Sequence, residues 1–231
     1  MNNSYDKVTH VLFDMDGLLL DTEYRYTEIY NRVIRKYGDY TFTWDHKATT
    51  MGFHPIESAK KVIEIFNLPT TPEEFMEQLA PHYQELFPHS QLMPGAARLL
   101  HHLHKHDIPI ALATSSGETS YELKTKKVKP MFEMFHHKVL GGSDTEVKNG
   151  KPAPDIFLVA ARRFPDNPSP SKCLVFEDAP NGVQAALSAG MQVIMVPDPN
   201  LPKELTKKAT LVLGSLEEFK PELFGLPPYD D

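Results

Sequence analysis

Short runs of apolar residues recur along the chain, and stretches with helical spacing separate many of them. The six runs cover residues 8–13, 108–114, 136–141, 172–177, 191–196 and 209–214. Continuous apolar runs of this length are typical of strands that are buried on both faces, as in a parallel sheet covered by helices. The alternation of such strands with helices therefore predicts an α/β fold with a doubly wound, Rossmann-like parallel sheet.

The segment between the first two runs breaks this rhythm, because it carries no strand-like run. Apolar residues recur there at helical spacing, beginning with Tyr26, Ile29 and Tyr30, and prolines at 69, 72, 81 and 88 punctuate the segment. We interpret it as a small helical cap domain inserted into the sheet domain. The expected boundaries are 21–88 for the cap, with 1–20 and 89–231 forming the α/β core.

Composition limits the classes of partner and the compartment. The formal net charge of the 231 residues is −7, which disfavours nucleic acid as a partner because its phosphate backbone attracts a surplus of Lys and Arg. No segment approaches the ~20 apolar residues of a membrane span, and no signal-peptide pattern begins the chain. The single cysteine, Cys173, predicts a buried thiol and no internal disulfide. We expect a cytoplasmic protein, and a monomer because no coiled-coil pattern is present.

Carboxylates follow two of the predicted strands. Asp14 and Asp16 come directly after the first run and before Gly17, and Glu177 and Asp178 end the run at 172–177. In a doubly wound sheet, ligands bind beyond the carboxyl ends of the strands. Two carboxylates so close together repel each other, and a hard cation with oxygen ligands such as Mg²⁺ relieves that repulsion. A turn or an N-cap explains a single Asp but fits this pattern poorly.

Two further stretches could hold a phosphate. Thr114, Ser115 and Ser116 follow the second run, where hydroxyls and backbone N–H groups before a helix can cradle an anion. Lys151 lies between Gly150 and Pro152 and could contact a phosphate as a point charge. Alone, the first stretch fits a plain N-cap and the lysine fits a solvated loop. Together with the carboxylates, they predict one site at the strand ends.

These four stretches resemble the four motifs of the haloacid dehalogenase-like hydrolase superfamily, in particular its Mg²⁺-dependent phosphatases. The matching stretches are VLFDMDG at 11–17, ALATSS at 111–116, KPAPD at 151–155 and VFEDAPNG at 175–182. They occur in the family's order, and the helical insert resembles its small cap. Longer stretches around the motifs, together with the ending PELFGLPPY, are similar to the group of animal pseudouridine-5′-phosphatases. That closer resemblance implies pseudouridine 5′-phosphate as the substrate.

The resemblance also implies roles for the first aspartates. Asp14 would be the nucleophile that forms an aspartyl-phosphate, and Asp16 would be the general acid and then the general base.

The remaining motif residues would bind the metal and the phosphate. Mg²⁺ would be held by the Asp14 carboxylate, the Asp16 backbone carbonyl and Asp178, with Glu177 binding directly or through water. The phosphoryl oxygens would be held by Thr114, Ser115 and Lys151.

Several alternatives remain open within and outside this chemistry. A phosphatase for sugar or polyol phosphates would use the same motifs with a different cap. A phosphomutase shares the first motif and Thr22, but such enzymes carry a His where this chain has Tyr26, and an Arg in the loop written here as MGFHPIE. Dehalogenases lack the second Asp of the first motif. A non-catalytic binding module with the same fold is the alternative from another class.

Weaker patterns receive a structural interpretation. His102 and His106, in HHLHKH at 101–106, are expected to be mostly solvated. Trp44 is expected to fill the cap core, and KTKKVK at 124–129 is expected to be a solvated helical face. Residues Gly52 to Pro55 are candidates for contact with the leaving group.

Overall fold

The computed structural model describes residues 5–51 and 53–230 of the chain. Within these ranges the centre of the molecule is a six-stranded sheet in which all neighbouring strands are parallel. Its strands are β1 His10–Phe13, β2 Ile110–Thr114, β3 His137–Leu140, β4 Cys173–Glu177, β5 Gln192–Met195 and β6 Leu211–Val212. They lie in the order β3-β2-β1-β4-β5-β6, so the first strand is central.

The predicted doubly wound α/β sheet is confirmed, and each of the six apolar runs contains one strand. The central strands are buried along their whole length because helices cover both faces. Successive residues of a strand point to opposite faces of the sheet, so Phe13 packs in one apolar cluster and Leu12 packs in the other. Cys173 starts β4 as a buried free thiol, as expected.

Helices on the two faces connect the strands. After the cap they are α5 Ala96–Lys105, α6 Glu118–Thr125, α7 Lys129–Phe132, α8 Asp155–Arg162 and α9 Pro180–Ser188. Helix α5 follows Gly95 and α9 is followed closely by Gly190, and both glycines have positive φ (84° and 77°) that favours glycine. No helix formed by the described residues is long and apolar enough to cross a membrane.

Between β1 and β2 the chain forms the helices α1 Glu23–Ile34, α2 Trp44–Ala48, α3 Pro55–Phe66 and α4 Pro72–Leu86. They enclose an apolar cluster of their own that includes Ile29, Val33, Phe75 and Leu79. This arrangement is that of a small helical cap, whose domain boundaries remain a prediction. Trp44 is only half-buried at the start of α2, with the Lys47 Nζ 4.8 Å from its ring centroid.

The expectation of solvated histidines in HHLHKH is wrong for His102. Its side chain is buried, and its Nε2 lies 2.9 Å from the Pro227 carbonyl oxygen, to which it donates. The ring of Tyr229 packs 4.5 Å from the His102 ring. The C-terminal segment therefore covers this helix face, which sequence periodicity within the helix could not show.

Candidate active site

The carboxyl ends of β1, β2 and β4 bring the predicted site residues to one edge of the sheet. Phe13 pairs with Leu112 on one side and with Phe176 on the other, so the three strands end at nearly the same level. Asp14 continues the ladder, since its backbone N–H donates to the Phe176 carbonyl at 3.0 Å. Its side chain therefore emerges between the ends of its neighbours, beside Glu177.

Lys151 is the centre of a buried charge cluster at this edge. Its Nζ lies 2.6 Å from Oδ1 of Asp14 and 2.5 Å from Oε1 of Glu177, and 3.3 Å from the Ala113 carbonyl oxygen. The other oxygen of Glu177 accepts from the backbone N–H groups of Asp178 and Ala179. Glu177 thus fixes both the lysine and the turn that carries Asp178.

The buried cluster contains more carboxylates than cations, because Asp14, Glu177 and Asp178 share the single ammonium group of Lys151. Burial raises the pKa of Asp14 to about 8, Lys151 opposes the shift, and Glu177 and Asp16 add to it. Burial also raises the pKa of Asp178 well above its usual range, with further repulsion from Glu177 and Asp14. Both carboxyls are therefore unfavourable as anions unless a further cation neutralises them.

The residues fit a Mg²⁺ ion. One oxygen each from Asp14, Glu177 and Asp178 lies within 4.8 Å of the others. Oxygen donors of this kind are the ligands Mg²⁺ prefers, and the unbalanced charge is what a divalent cation corrects. Gly17 leaves room for the set, because a Cβ at that position would lie 2.2 Å from Oδ2 of Asp178.

Asp16 lies in a separate buried ion pair that the sequence did not predict. Oδ1 of Asp16 lies 2.6 Å from the Nζ of Lys124, and its Oδ2 accepts from the Ser116 hydroxyl at 2.8 Å. Burial favours the protonated form of Asp16, but the Lys124 charge and the hydrogen bonds outweigh it and lower the pKa of the carboxyl. Asp16 is therefore ionised in this state.

The expectation that KTKKVK forms a solvated face is wrong at Lys124, whose side chain is fully buried. Its Nζ donates to the Ser116 hydroxyl at 2.8 Å and to the Tyr26 hydroxyl at 2.7 Å. Tyr26 belongs to cap helix α1, so the lysine joins the core acid to the cap. The sequence carries no signal that separates Lys124 from the other lysines of the run, because the difference depends on where α6 lies in the fold.

The hydroxyl residues after β2 take different positions. Thr114 is fully buried, and its Oγ1 accepts from the Ser116 N–H at 3.1 Å. Ser115 and Ser116 line the cavity over the aspartates. Phosphate binding by Thr114, Ser115 and Lys151 remains a prediction, as do the roles of the other motif residues.

A cavity of about 60 Å³ lies between the aspartates and the cap. Core residues Asp14, Asp16 and Asp178 form its floor, and cap residues from Glu23 to Ser58 form its roof. Ordinary ligand pockets have roughly 300–1,000 Å³. This cavity is smaller, so a ligand of ordinary size would need the cap to move, as in enzymes whose lids open and close. Of the predicted contact loop, Phe53 and Pro55 line the roof, while Gly52 lies outside the described residues.

Residues 8–190 match the sequence model of the haloacid dehalogenase-like hydrolases. The chain belongs to this family. The match spans all four predicted motifs, so the prediction of the family and of an enzyme of the hydrolase class is confirmed.

Known members of the family resemble the chain over nearly all of its length. A Drosophila melanogaster protein named "Probable pseudouridine-5′-phosphatase" is 54% identical over 230 residues, covering 100% of this chain and 99% of the relative. The Arabidopsis thaliana protein named (DL)-glycerol-3-phosphatase 1, mitochondrial, is 51% identical, covering 97% of this chain and 76% of the relative. The crystal structure titled HAD hydrolase, family IA, variant 3, from Entamoeba histolytica has a TM-score of 0.77 at 24% identity, with 94% and 97% of the chains covered. That likeness supports the fold.

Replacing Gly182 with alanine is expected to damage the site, although no charged residue is substituted. Gly182 lies in α9, and a Cβ there would lie 1.9 Å from Oε1 of Glu177, which is buried and cannot move aside freely. We expect the Glu177–Lys151 contact to break, kcat/KM for phosphate release to fall by about 10–100-fold, and the Tm to fall by several degrees.

Gly214→Ala is the matched control for this substitution. A Cβ at Gly214 meets only the Glu218 carboxylate, at 3.0 Å, and that side chain is exposed and flexible. Kinetics and melting should therefore stay close to those of the unmodified protein. Equal behaviour of the two alanine variants would contradict the tight packing of Glu177 against α9.

Proposed function

We propose that the protein is a Mg²⁺-dependent phosphomonoesterase that hydrolyses pseudouridine 5′-phosphate to pseudouridine and phosphate in the cytoplasm, acting as a monomer. The observation that carries the proposal is that Asp14 and Asp16 line one cavity and that each is paired with a different lysine, Asp14 with Lys151 and Asp16 with Lys124. Two carboxylates with different partners can take two different roles in one reaction.

Asp14 is the nucleophile of the first step. A carboxylate oxygen of Asp14 forms a bond to phosphorus while the bond from phosphorus to the ester oxygen breaks. The leaving alkoxide takes a proton from Asp16, and the product is an aspartyl-phosphate. Lys151 holds Asp14 in place and offsets the negative charge that gathers as the phosphate approaches.

Asp16 is the acid of the first step and the base of the second. The incoming phosphate places negative charge beside it, which raises the pKa of a carboxyl and favours the proton that the first step needs. In the second step Asp16 takes a proton from water, whose oxygen bonds to phosphorus as the bond to Asp14 breaks. The ion pair with Lys124 favours the ionised form required here.

Asp14 and Asp178, with the backbone carbonyl of Asp16, would hold Mg²⁺. When bound, the ion supplies positive charge that stabilises the negative oxygens of the transferring phosphoryl group. Glu177 positions these ligands, because one of its oxygens binds Lys151 and the other accepts from the backbone N–H of Asp178. Ser115 and Thr114 would bind phosphoryl oxygens at the end of β2.

The substrate assignment rests on the 54% identity to the relative named as a pseudouridine-5′-phosphatase. Glycerol 3-phosphate is the second candidate, because the relative named as a glycerol-3-phosphatase is 51% identical. A phosphomutase is disfavoured by Tyr26, whose hydroxyl contacts Lys124 where the mutases carry a histidine. The complete set of paired charged residues disfavours a non-catalytic binding module.

Phosphate release with and without Mg²⁺ tests the proposal on pseudouridine 5′-phosphate, uridine 5′-phosphate, glycerol 3-phosphate and several hexose phosphates. We expect kcat/KM to be at least about tenfold higher for pseudouridine 5′-phosphate than for the others. A preference for glycerol 3-phosphate would retain the mechanism and replace the substrate. Absence of release from every compound, with Mg²⁺ present, would contradict the mechanism as well.

A further inference from the structure

The roof of the cavity contains one pair of charged side chains. Among the described cap residues that line it, Glu23 and Lys47 are charged, and the others are aromatic, apolar or hydroxyl-bearing. Both members of the pair also line a second cavity, of about 420 Å³, to which Asp178 contributes as well. The pair therefore belongs to the cap surface that faces the aspartates, which is where the proposed function would place the leaving group.

Lys47 has no hydrogen-bond donor to spare for a ligand. Its Nζ lies 3.1 Å from Oε2 of Glu23 and 2.9 Å from the Thr27 hydroxyl, and it also donates to the Glu23 carbonyl oxygen. An ammonium group has three donors, and these three acceptors use them all. The side chain is buried, so its charge is committed to the cap and not to an incoming anion.

Glu23 keeps capacity to accept hydrogen bonds. An ionised carboxylate has about four acceptor positions, and Lys47 takes one oxygen of this carboxylate at 3.1 Å. The carboxylate also lies near Asp178, whose pKa it helps to raise. Lys47 is the one cation among the described residues that line the cavity, so a second anionic group on the substrate would meet Glu23 without a lining cation to balance it. A hydroxyl or an N–H group would find an acceptor there.

We propose that Glu23, held by Lys47, determines specificity for the leaving group. It accepts hydrogen bonds from hydroxyl or N–H donors of an uncharged leaving group, and it rejects leaving groups that carry a second negative charge. The substrate class is thus a monophosphate of a neutral polyol, sugar or nucleoside. This inference rests on the proposed phosphatase function and specifies which substrates that function accepts.

Substrate pairs that differ by one carboxylate test the inference in the unmodified protein. Glycerol 3-phosphate and 3-phosphoglycerate form one pair, and uridine 5′-phosphate and orotidine 5′-phosphate form the other. We expect kcat/KM to favour the neutral member of each hydrolysed pair by at least about tenfold, because like charges in a desolvated site repel strongly. Equal kcat/KM for the two members would overturn the inference.

Two variants should move this ratio in opposite directions. Glu23→Gln removes the negative charge and keeps the shape, so the preference for the neutral member should fall by about tenfold. Lys47→Gln leaves Glu23 uncompensated, so the preference should rise. A loss of packing alone would not change the kcat/KM ratio in opposite directions in the two variants. If one variant folds poorly, the other can still be measured.

Glu28→Gln is the matched control on the same helix. Glu28 does not line the cavity, and its Oε1 lies 2.6 Å from Nη2 of Arg32. The Glu28→Gln variant should therefore show the same kcat/KM ratio as the unmodified protein. A Glu23→Gln ratio equal to that of the control would overturn the inference. If the unmodified protein releases no phosphate from any neutral substrate, including p-nitrophenyl phosphate, the proposed function itself fails, which is a distinguishable result.

Discussion

Asp14→Asn is expected to reduce phosphate release by at least about 10³-fold and, at the same time, to make the metal-free protein more resistant to heat. The loss of turnover follows because an amide cannot form the acyl phosphate. Folding should be retained, since an asparagine oxygen can still accept from Lys151, and Lys151 also keeps its contact with Glu177.

The gain in stability follows from the cost of burying the Asp14 carboxylate. Its pKa is about 8 in the folded protein, against about 4 in an unfolded chain. The folded state therefore binds a proton more tightly, and this group lowers stability progressively as pH rises from about 4 to about 8. Asparagine carries no such charge, so the advantage in Tm of Asp14→Asn should be larger at pH 8 than at pH 5.

Thermal melts in a chelator at the two pH values, together with phosphate release in Mg²⁺, measure both effects. Asp39→Asn, at an exposed position, controls for the change of charge and should alter neither. Turnover that survives in a clean preparation of Asp14→Asn would exclude Asp14 as the nucleophile. A lower Tm at pH 8 would mean that Asp14 stabilises the fold as an anion.

The sheet and the order of its site residues were predictable because they depend on local signals. A strand buried on both faces needs an unbroken apolar run, and the parallel arrangement follows from the helices between runs. Once the strands are parallel, Asp14 and Glu177 must come to the same edge, whichever strands lie between them. The structure confirms that both lie at that edge.

The partners of the site depend on packing between distant segments, which one sequence does not reveal. Lys124 and Lys126 look alike in the run KTKKVK, but one is fully buried and the other exposed. The distinction depends on how α6 packs beneath the cap. His102 illustrates the same limit, because the C-terminal segment that buries it is 125 residues away.

Two glycines make room for site carboxylates, and this role could not be predicted from the sequence alone. Gly182 looks like an ordinary residue of the fourth motif in the sequence, although its missing Cβ makes room for the carboxylate of Glu177. Gly17 likewise leaves room for Asp178, which its position after the first motif's aspartates does not indicate. Gly17 and Asp178 are more than 150 residues apart, so their close approach becomes apparent only in three dimensions.

Lys124→Met is expected to impair both stability and turnover. Removal of the ammonium group leaves the Asp16 carboxylate buried without its cation, and breaking a buried ion pair in this way costs about 3–5 kcal/mol in the free energy of unfolding. Phosphate release should fall by about 100-fold or more, because Asp16 loses the contact that fixes its position. Urea unfolding and kcat/KM measure the two effects.

The difference in stability should depend on pH in a defined direction. Because Lys124 lowers the pKa of Asp16, the ion pair stabilises the fold above the ordinary carboxyl pKa, and that contribution is lost as pH falls through the lowered value. Unmodified protein and Lys124→Met should therefore become more similar in stability below about pH 4. Lys126→Met, from the exposed part of the same run, should change stability by no more than about 0.5 kcal/mol.

The double variant Asp16→Asn with Lys124→Met separates the structural from the chemical contribution. With both charges removed, no uncompensated ion remains, so most of the lost stability should return. Turnover should not return, because the double variant has no group at position 16 that can donate and accept the proton. Recovery of activity together with stability would show that Lys124 serves only to balance a buried charge and that the proton passes through another residue.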